Sequence, residues 1–182
     1  MPNPHLARAL ARALSPRPDR PGEERRVVLL GVGSELRGDD VVGVRIARRV
    51  ESLHLPGVTV LDGGTAPENL TGGIRKISPS HLIIIDSADM GDVPGSVRLL
   101  SPEQIVGMSF GTHALSLTVL AGYLHDETGC RVAIIGIQPR SLEFDAGLSE
   151  EAARSVDETV ETLAACLGTA SDRGPPALEA GS

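Results

Sequence analysis

No Cys-x-x-Cys pair occurs in the 182 residues. The only cysteines, Cys130 and Cys166, stand too far apart for a redox or zinc motif of that kind. Both read as small apolar residues at element edges. There is no secretory apolar region and no uncharged stretch long enough to span a bilayer. A cytoplasmic protein with no membrane insertion is the expectation. A basic body is missing too: the formal charge is −7, and the first 26 residues carry a local +3 that leaves −10 on the remainder. Such an acidic body argues against nucleic acid as the main partner. Internal repeats are absent, and so are the Asp-Thr-Gly and His-Glu-x-x-His signatures. The chain is therefore not expected to be an ordinary aspartic or zinc peptidase, and a serine mechanism is not expected either.

What the chain does have is alternation. Short β-branched runs at Val27 to Gly31, Val58 to Asp62, His81 to Asp86, Ser96 to Leu100 and Val132 to Ile137 alternate with segments of helical period. That pattern belongs to an α/β layer fold. The runs HLIIID and RVAIIGI are continuously apolar, so both faces of those strands need cover. The expected architecture is a three-layer sandwich with a mainly parallel, roughly five-stranded twisted sheet and helices on both faces. Val42, Ile46, Val50 and Leu53 form one helical stripe, with Arg45, Arg48 and Arg49 opposite. Thr65 with Glu68, and Ser101 with Gln104, have capping-box spacing; Thr112 and Ser149 are further N-cap candidates. Residues 1–25 are expected to be a flexible extension, although Leu6, Leu10 and Leu14 recur every four residues. Residues 26–168 form the working domain, and residues 169–182 are expected to be a disordered tail.

Between the first strand and the first stripe lies GVGSELRGDD, residues 31–40. Glycines at a strand-to-helix turn suit a dinucleotide pyrophosphate, but the spacing is not Gly-x-Gly-x-x-Gly. Asp39 and Asp40 would also compete with a phosphate for the same backbone donors. A cation is the more sensible guest. One of the two acids can cap the next helix, which leaves the other in need of a role. Ligands in open α/β sheets gather beyond the carboxyl ends of strands. Asp86, with Asp89 and Asp92 behind it, and Asp62 close strands there, while His113 opens a helix after Gly111. His5, His54, His81 and His125 read as structural or solvated.

The segments GVGSELRGDDVVGVRIA, DGGTAPEN, IIIDSADMGDVPG, the Thr112-His113 pair and GIQP occur in this order between Val27 and Gly168. In order and separation they resemble the maturation endopeptidases of nickel-iron hydrogenases, most closely the branch that processes formate-hydrogenlyase-type enzymes. The resemblance implies a peptidase, grouped with the aspartic type, that removes a C-terminal extension from the hydrogenase large-subunit precursor after nickel insertion. It places the metal contacts on Asp40, Asp86 and His113, and the catalytic carboxyls on Asp40 and Asp86. Two carboxylates and one imidazole make an incomplete shell for a divalent ion. Nickel held by the precursor is then the group that completes it. Water is activated either by the metal as Lewis acid or by a carboxylate as general base.

Two departures from the family pattern stand out. Val41 replaces a usual glycine after the acidic pair, so an ordinary helical turn is expected there, and Ser34 replaces a frequent asparagine. Ile105, Val106, Met108 and Phe110 offer either a core plug or an apolar rim for the precursor. The competing readings are a non-catalytic nickel chaperone and a nucleotide-binding α/β domain. A monomer is the default.

Overall fold

The computed structural model describes residues 1–105 and 114–168, with side chains in the second stretch described from Leu117 onward. In chain order the elements are α1 (Pro4–Ala13), β1 (Val27–Val32), α2 (Val42–Glu51), β2 (Val58–Gly64), α3 (Thr71–Ile77), β3 (His81–Ser87), β4 (Val97–Leu100), α4 (Ala114–Thr128), β5 (Arg131–Ile137) and α5 (Glu150–Gly168). One five-stranded sheet runs in the order β2-β1-β3-β5-β4. Only β4 is antiparallel to its neighbour.

Every residue of β1 and β3 is buried, as unbroken apolar runs require of strands covered on both sides. Alternate side chains serve two cores. Val27, Leu29, Ile83, Ile85, Ile135 and Ile137 meet α1, α2 and α5 on one face. Val28, Leu30, Val32, Leu82, Ile84 and Ile134 meet Ile74 of α3 and Leu117, Leu120 and Leu124 of α4 on the other. The three-layer sandwich is thus as expected, and the five strand candidates agree with the observed strands to within two residues at any end. Among the described residues, no helix is long and apolar enough to cross a membrane.

Several local expectations need correction. Pro4–Ala13 is not a loose extension: Asn3 caps it by accepting from the backbone N–H groups of His5 and Leu6 at 3.1 Å each. Leu6, Leu10 and Leu14 are buried in the core that α5 lines, and the Asn3 N–H donates to Thr162 Oγ1 at 2.8 Å. The leucine stripe found a tertiary partner 150 residues away, which local reading could not see. Leu53 lies past the end of α2 and is exposed. Among the described residues Thr65 caps nothing; a 3₁₀ turn, Pro67–Leu70, precedes α3 instead, with Ala66 before it. Ser101 and Gln104 do make the reciprocal capping bond, Ser101 N–H to Gln104 Oε1 at 2.8 Å, but only a turn follows among the described residues. Ser149 is the N-cap of α5, its Oγ accepting from the Ala152 N–H at 3.2 Å. Thr112 and residues 169–182 lie outside the described residues.

Close packing of α2 on the sheet requires two glycines. A Cβ on Gly43 would overlap the carbonyl oxygens of Ile85 and Val32, and one on Gly31 would overlap the Gly43 carbonyl and Ala47. The start of α2 is therefore pressed against the carboxyl ends of β1 and β3.

Candidate active site

β1 is the point where the sheet order reverses. Its crossover through α2 leads to β2 on one side, and the next through α3 leads to β3 on the other. The connections leaving β1 and β3 therefore diverge at their carboxyl ends, where open sheets of this kind gather ligands. From β1 the chain passes Gly33, whose positive φ of 138° and contact with the Asp40 carbonyl exclude any side chain. It then forms a 3₁₀ turn, Gly38–Val41, that leads directly into α2, with Val41 in ordinary helical conformation as expected. The glycines of this loop serve close packing, which removes the main support for a nucleotide site.

Asp40 and Asp86 converge at this edge of the sheet, both buried. Asp40 accepts from the Ser34 N–H at 3.0 Å through Oδ2 and from the Ser87 hydroxyl at 2.7 Å through Oδ1. Asp86 Oδ1 accepts from the Ser87 N–H at 2.8 Å. Ser87 therefore holds one acid with its backbone and the other with its side chain. Asp86 Oδ2 is buried and has no hydrogen-bond partner among the described residues. Burial foremost, and the negative charge of Asp40 next, push the Asp86 carboxyl well above the usual carboxylate range, against a smaller opposing effect of the Ser87 N–H. Two adjacent acids thus differ in environment. Asp40 is anchored by two donors, whereas Asp86 favours its neutral form and presents an unsatisfied oxygen.

Asp39 points elsewhere and does not cap α2. Its carboxylate accepts from the Arg140 N–H at 2.8 Å, the Ser149 N–H at 2.7 Å and the Ser149 hydroxyl at 2.8 Å. It clamps the start of α5 onto the turn that carries Asp40. Asp62 is half exposed and ion-paired to Arg48 at 2.8 Å, with Glu35 on the other side of that guanidinium. Asp92 pairs with Arg98 at 2.6 Å. Asp89 accepts from Gln138 Nε2 at 3.1 Å, while Gln138 Oε1 accepts from the N–H groups of Met90 at 2.7 Å and Asp92 at 3.2 Å. Gln138 of the GIQP segment thus shapes the loop behind Asp86. Sequence reasoning missed the roles of Gln138 and Ser87, because neither residue type announces a partner so distant in sequence or so small in reach.

His113, Val106, Met108 and Phe110 lie outside the described residues. Among the described residues, no group of three or more His, Cys, Asp or Glu side chains is placed to hold a metal ion. His81 is buried at the opposite, amino end of the sheet, its Nδ1 2.8 Å from Ser80 Oγ. Burial first, and Arg131 second, lower its pKa from 6.5 to about 4. His125 Nδ1 lies 2.8 Å from the Cys130 carbonyl. One spacing escaped the sequence reading: Gly107 to Gly111 reads Gly-Met-Ser-Phe-Gly, as a nucleophile elbow does. It lies outside the described residues. Such an elbow follows a strand directly, whereas the residues before this segment, 102–105, form a turn.

Comparison with known proteins follows the same line. A family model described as hydrogenase maturation protease matches residues 44–166. The chain is 33% identical over 147 residues to a putative hydrogenase maturation protease of Methanocaldococcus jannaschii, covering 76% of this chain and 86% of that protein. To the hydrogenase 3 maturation protease of Escherichia coli K12 it is 35% identical over 137 residues, covering 75% and 85%. The crystal structure of a [NiFe] hydrogenase maturation protease from Thermococcus kodakarensis KOD1 superposes with a TM-score of 0.73 at 31% identity, covering 80% of this chain and 94% of that one.

Proposed function

The chain belongs to the hydrogenase maturation protease family, and from that premise we propose that it cuts the C-terminal extension from a [NiFe] hydrogenase large-subunit precursor that already carries nickel. It is an endopeptidase, a hydrolase of peptide bonds. The observation that carries the reading is the pair Asp40, on the turn after β1, and Asp86, near the end of β3, joined through Ser87, with Asp86 Oδ2 buried and unpartnered among the described residues. Such an oxygen is free to act as a ligand to a divalent ion. In this proposal nickel arrives as part of the substrate and completes its shell with Asp40, Asp86 and His113. Ligation requires ionised carboxylates, so docking of the metal displaces the proton that burial keeps on Asp86.

In hydrolysis the scissile C–N bond breaks, the water oxygen joins the carbonyl carbon, and a proton reaches the leaving amine. Asp40, anchored by two donors, is the residue assigned to take the proton from water. The substrate assigned is of the formate-hydrogenlyase type, as the sequence resemblance implies.

The test incubates the protein with precursor, with and without nickel, and follows the mass of the precursor's C-terminus. Cleavage only of nickel-loaded precursor is expected. Equal cleavage without nickel overturns the metal-recognition step, and no cleavage of loaded precursor overturns the substrate assignment. Asp40→Asn is expected to reduce the rate at least about a thousandfold with the fold retained; full activity would remove the site.

A further inference from the structure

Ser87 ends β3, is fully buried, and is the one described residue hydrogen-bonded to both acids of the site. Side chains alternate along a strand. Ile83 and Ile85 face the core that α2 and α5 line, which puts Ser87 on that side of the sheet. Leu82 and Ile84 face the core that α3 and α4 line, which puts Asp86 on the other. Asp40, on the turn that leads into α2, arrives from the Ser87 side. The two acids thus approach the end of the sheet from opposite faces, and Ser87 joins them there.

The joint is built on a rigid element. Ser87 pairs with Ile137 at the last register position of β3 and β5, and the Ala88 N–H donates to the Ile137 carbonyl at 2.9 Å. The Ser87 hydroxyl donates to Asp40 Oδ1 at 2.7 Å and makes no other hydrogen bond among the described residues. An ionised carboxylate only accepts, so the direction of this bond is fixed. The other oxygen, Asp40 Oδ2, is held by the Ser34 N–H at 3.0 Å. With one donor on each oxygen, the carboxylate cannot turn about its Cβ–Cγ bond without losing both. That torsion has broad, shallow preferences of its own, so a single remaining donor would not fix the plane.

Resting on the function proposed above, we propose that Ser87 is a positioning residue for peptide cleavage, its hydroxyl aiming the Asp40 carboxylate at the place where Asp86 meets the substrate. Proton transfer from water requires the base within hydrogen-bond reach and correctly directed, and a misplacement of about 1 Å can cost about a hundredfold in rate. A small apolar residue at position 87 would keep the backbone N–H that holds Asp86 and lose only the hold on Asp40. The two functions of Ser87 are therefore separable by substitution.

The test measures kcat and KM, per folded protein, on nickel-loaded precursor for wild type, Ser87→Ala, Ser87→Thr, Asp40→Asn and Ser87→Ala/Asp40→Asn. Ser87→Ala is expected to lower kcat about 10- to 100-fold, and Ser87→Thr, which keeps the hydroxyl, to stay within about threefold of wild type. In the Asp40→Asn background the alanine is expected to cost less than about twofold more, because the base it would misdirect is already gone. Unchanged kcat in folded Ser87→Ala overturns the proposal, as do losses that multiply in the double variant or a threonine variant as slow as the alanine one. Urea unfolding of Ser87→Ala, Asp40→Ala and the pair needs no substrate; coupling of at least about tenfold in the unfolding constant is expected, and independent effects overturn the bond itself. Absence of cleavage by wild type, with that coupling present, would instead strike the underlying function.

Discussion

Asp86→Asn should separate stability from activity, with a dependence on pH that the structure dictates. In the unfolded chain Asp86 titrates near its ordinary value of 3.8, while burial and Asp40 raise it well above that value in the folded chain. A carboxyl whose folded pKa is raised destabilises the fold progressively as pH climbs above the unfolded value. At pH 7 that cost has a ceiling of about 4 kcal/mol, the free energy of holding a proton on a group with the unfolded affinity. Asparagine is nearly isosteric with the neutral acid, its carbonyl can keep the Ser87 N–H bond, and it carries no charge to be suppressed. Its amide inherits the unpartnered position of Oδ2, which costs about 1–3 kcal/mol and returns part of the gain. The net expectation at pH 7 is about 1–2 kcal/mol of stabilisation, a Tm rise of about 2–8 °C. At pH 4 the unfolded acid is already about two-fifths protonated, which cuts that cost to about 0.6 kcal/mol, so the stabilisation should vanish or reverse. Urea unfolding of wild type and Asp86→Asn at pH 4 and pH 7 measures both values, and precursor cleavage measures the loss of activity. A variant less stable than wild type at pH 7, or a difference independent of pH, would refute the account of this acid.

Other outcomes follow from the packing and the amino end of the sheet. Gly43→Ala would push α2 away from the Ile85 and Val32 carbonyls; a loss of about 3 kcal/mol in urea unfolding is expected, with cleavage impaired because Asp40 rides on the same turn. Leu10→Ala, at a fully buried position, should cost about 2–5 kcal/mol, and a loss near zero would mean that α1 does not dock. His81, held neutral with a pKa lowered from 6.5 to about 4, contributes stability that is complete above pH 6.5 and fades as pH falls toward 4. That contribution is about 3 kcal/mol at most, and His81→Gln should flatten the stability profile across this window.

The strands were legible because a segment buried on both faces must be apolar throughout, as residues 82–85 and 132–137 are. The convergence of Asp40 and Asp86 was legible for a topological reason: both follow strands whose carboxyl ends meet where the sheet order reverses. The clamp from Asp39 to Ser149 was not, because the two residues are 110 positions apart and each has an adequate local role as a cap. The docking of α1 was hidden for a related reason. Its stripe of leucines was visible, but the proline-rich residues 15–22 between it and β1 suggested detachment, and only the packed α5 shows where the stripe is covered.

The pairing of the first helix with the last also bears on the order of folding. Leu6 and Leu10 find their cover among residues such as Val160, Leu163 and Leu167, and the turn bearing Asp40 is gripped by the start of that same helix. Until that last helix has folded, the early leucines lack its cover and the carboxyl pair lacks its brace. The last helix must therefore be in place before the first helix is fully covered and the turn bearing Asp40 is braced.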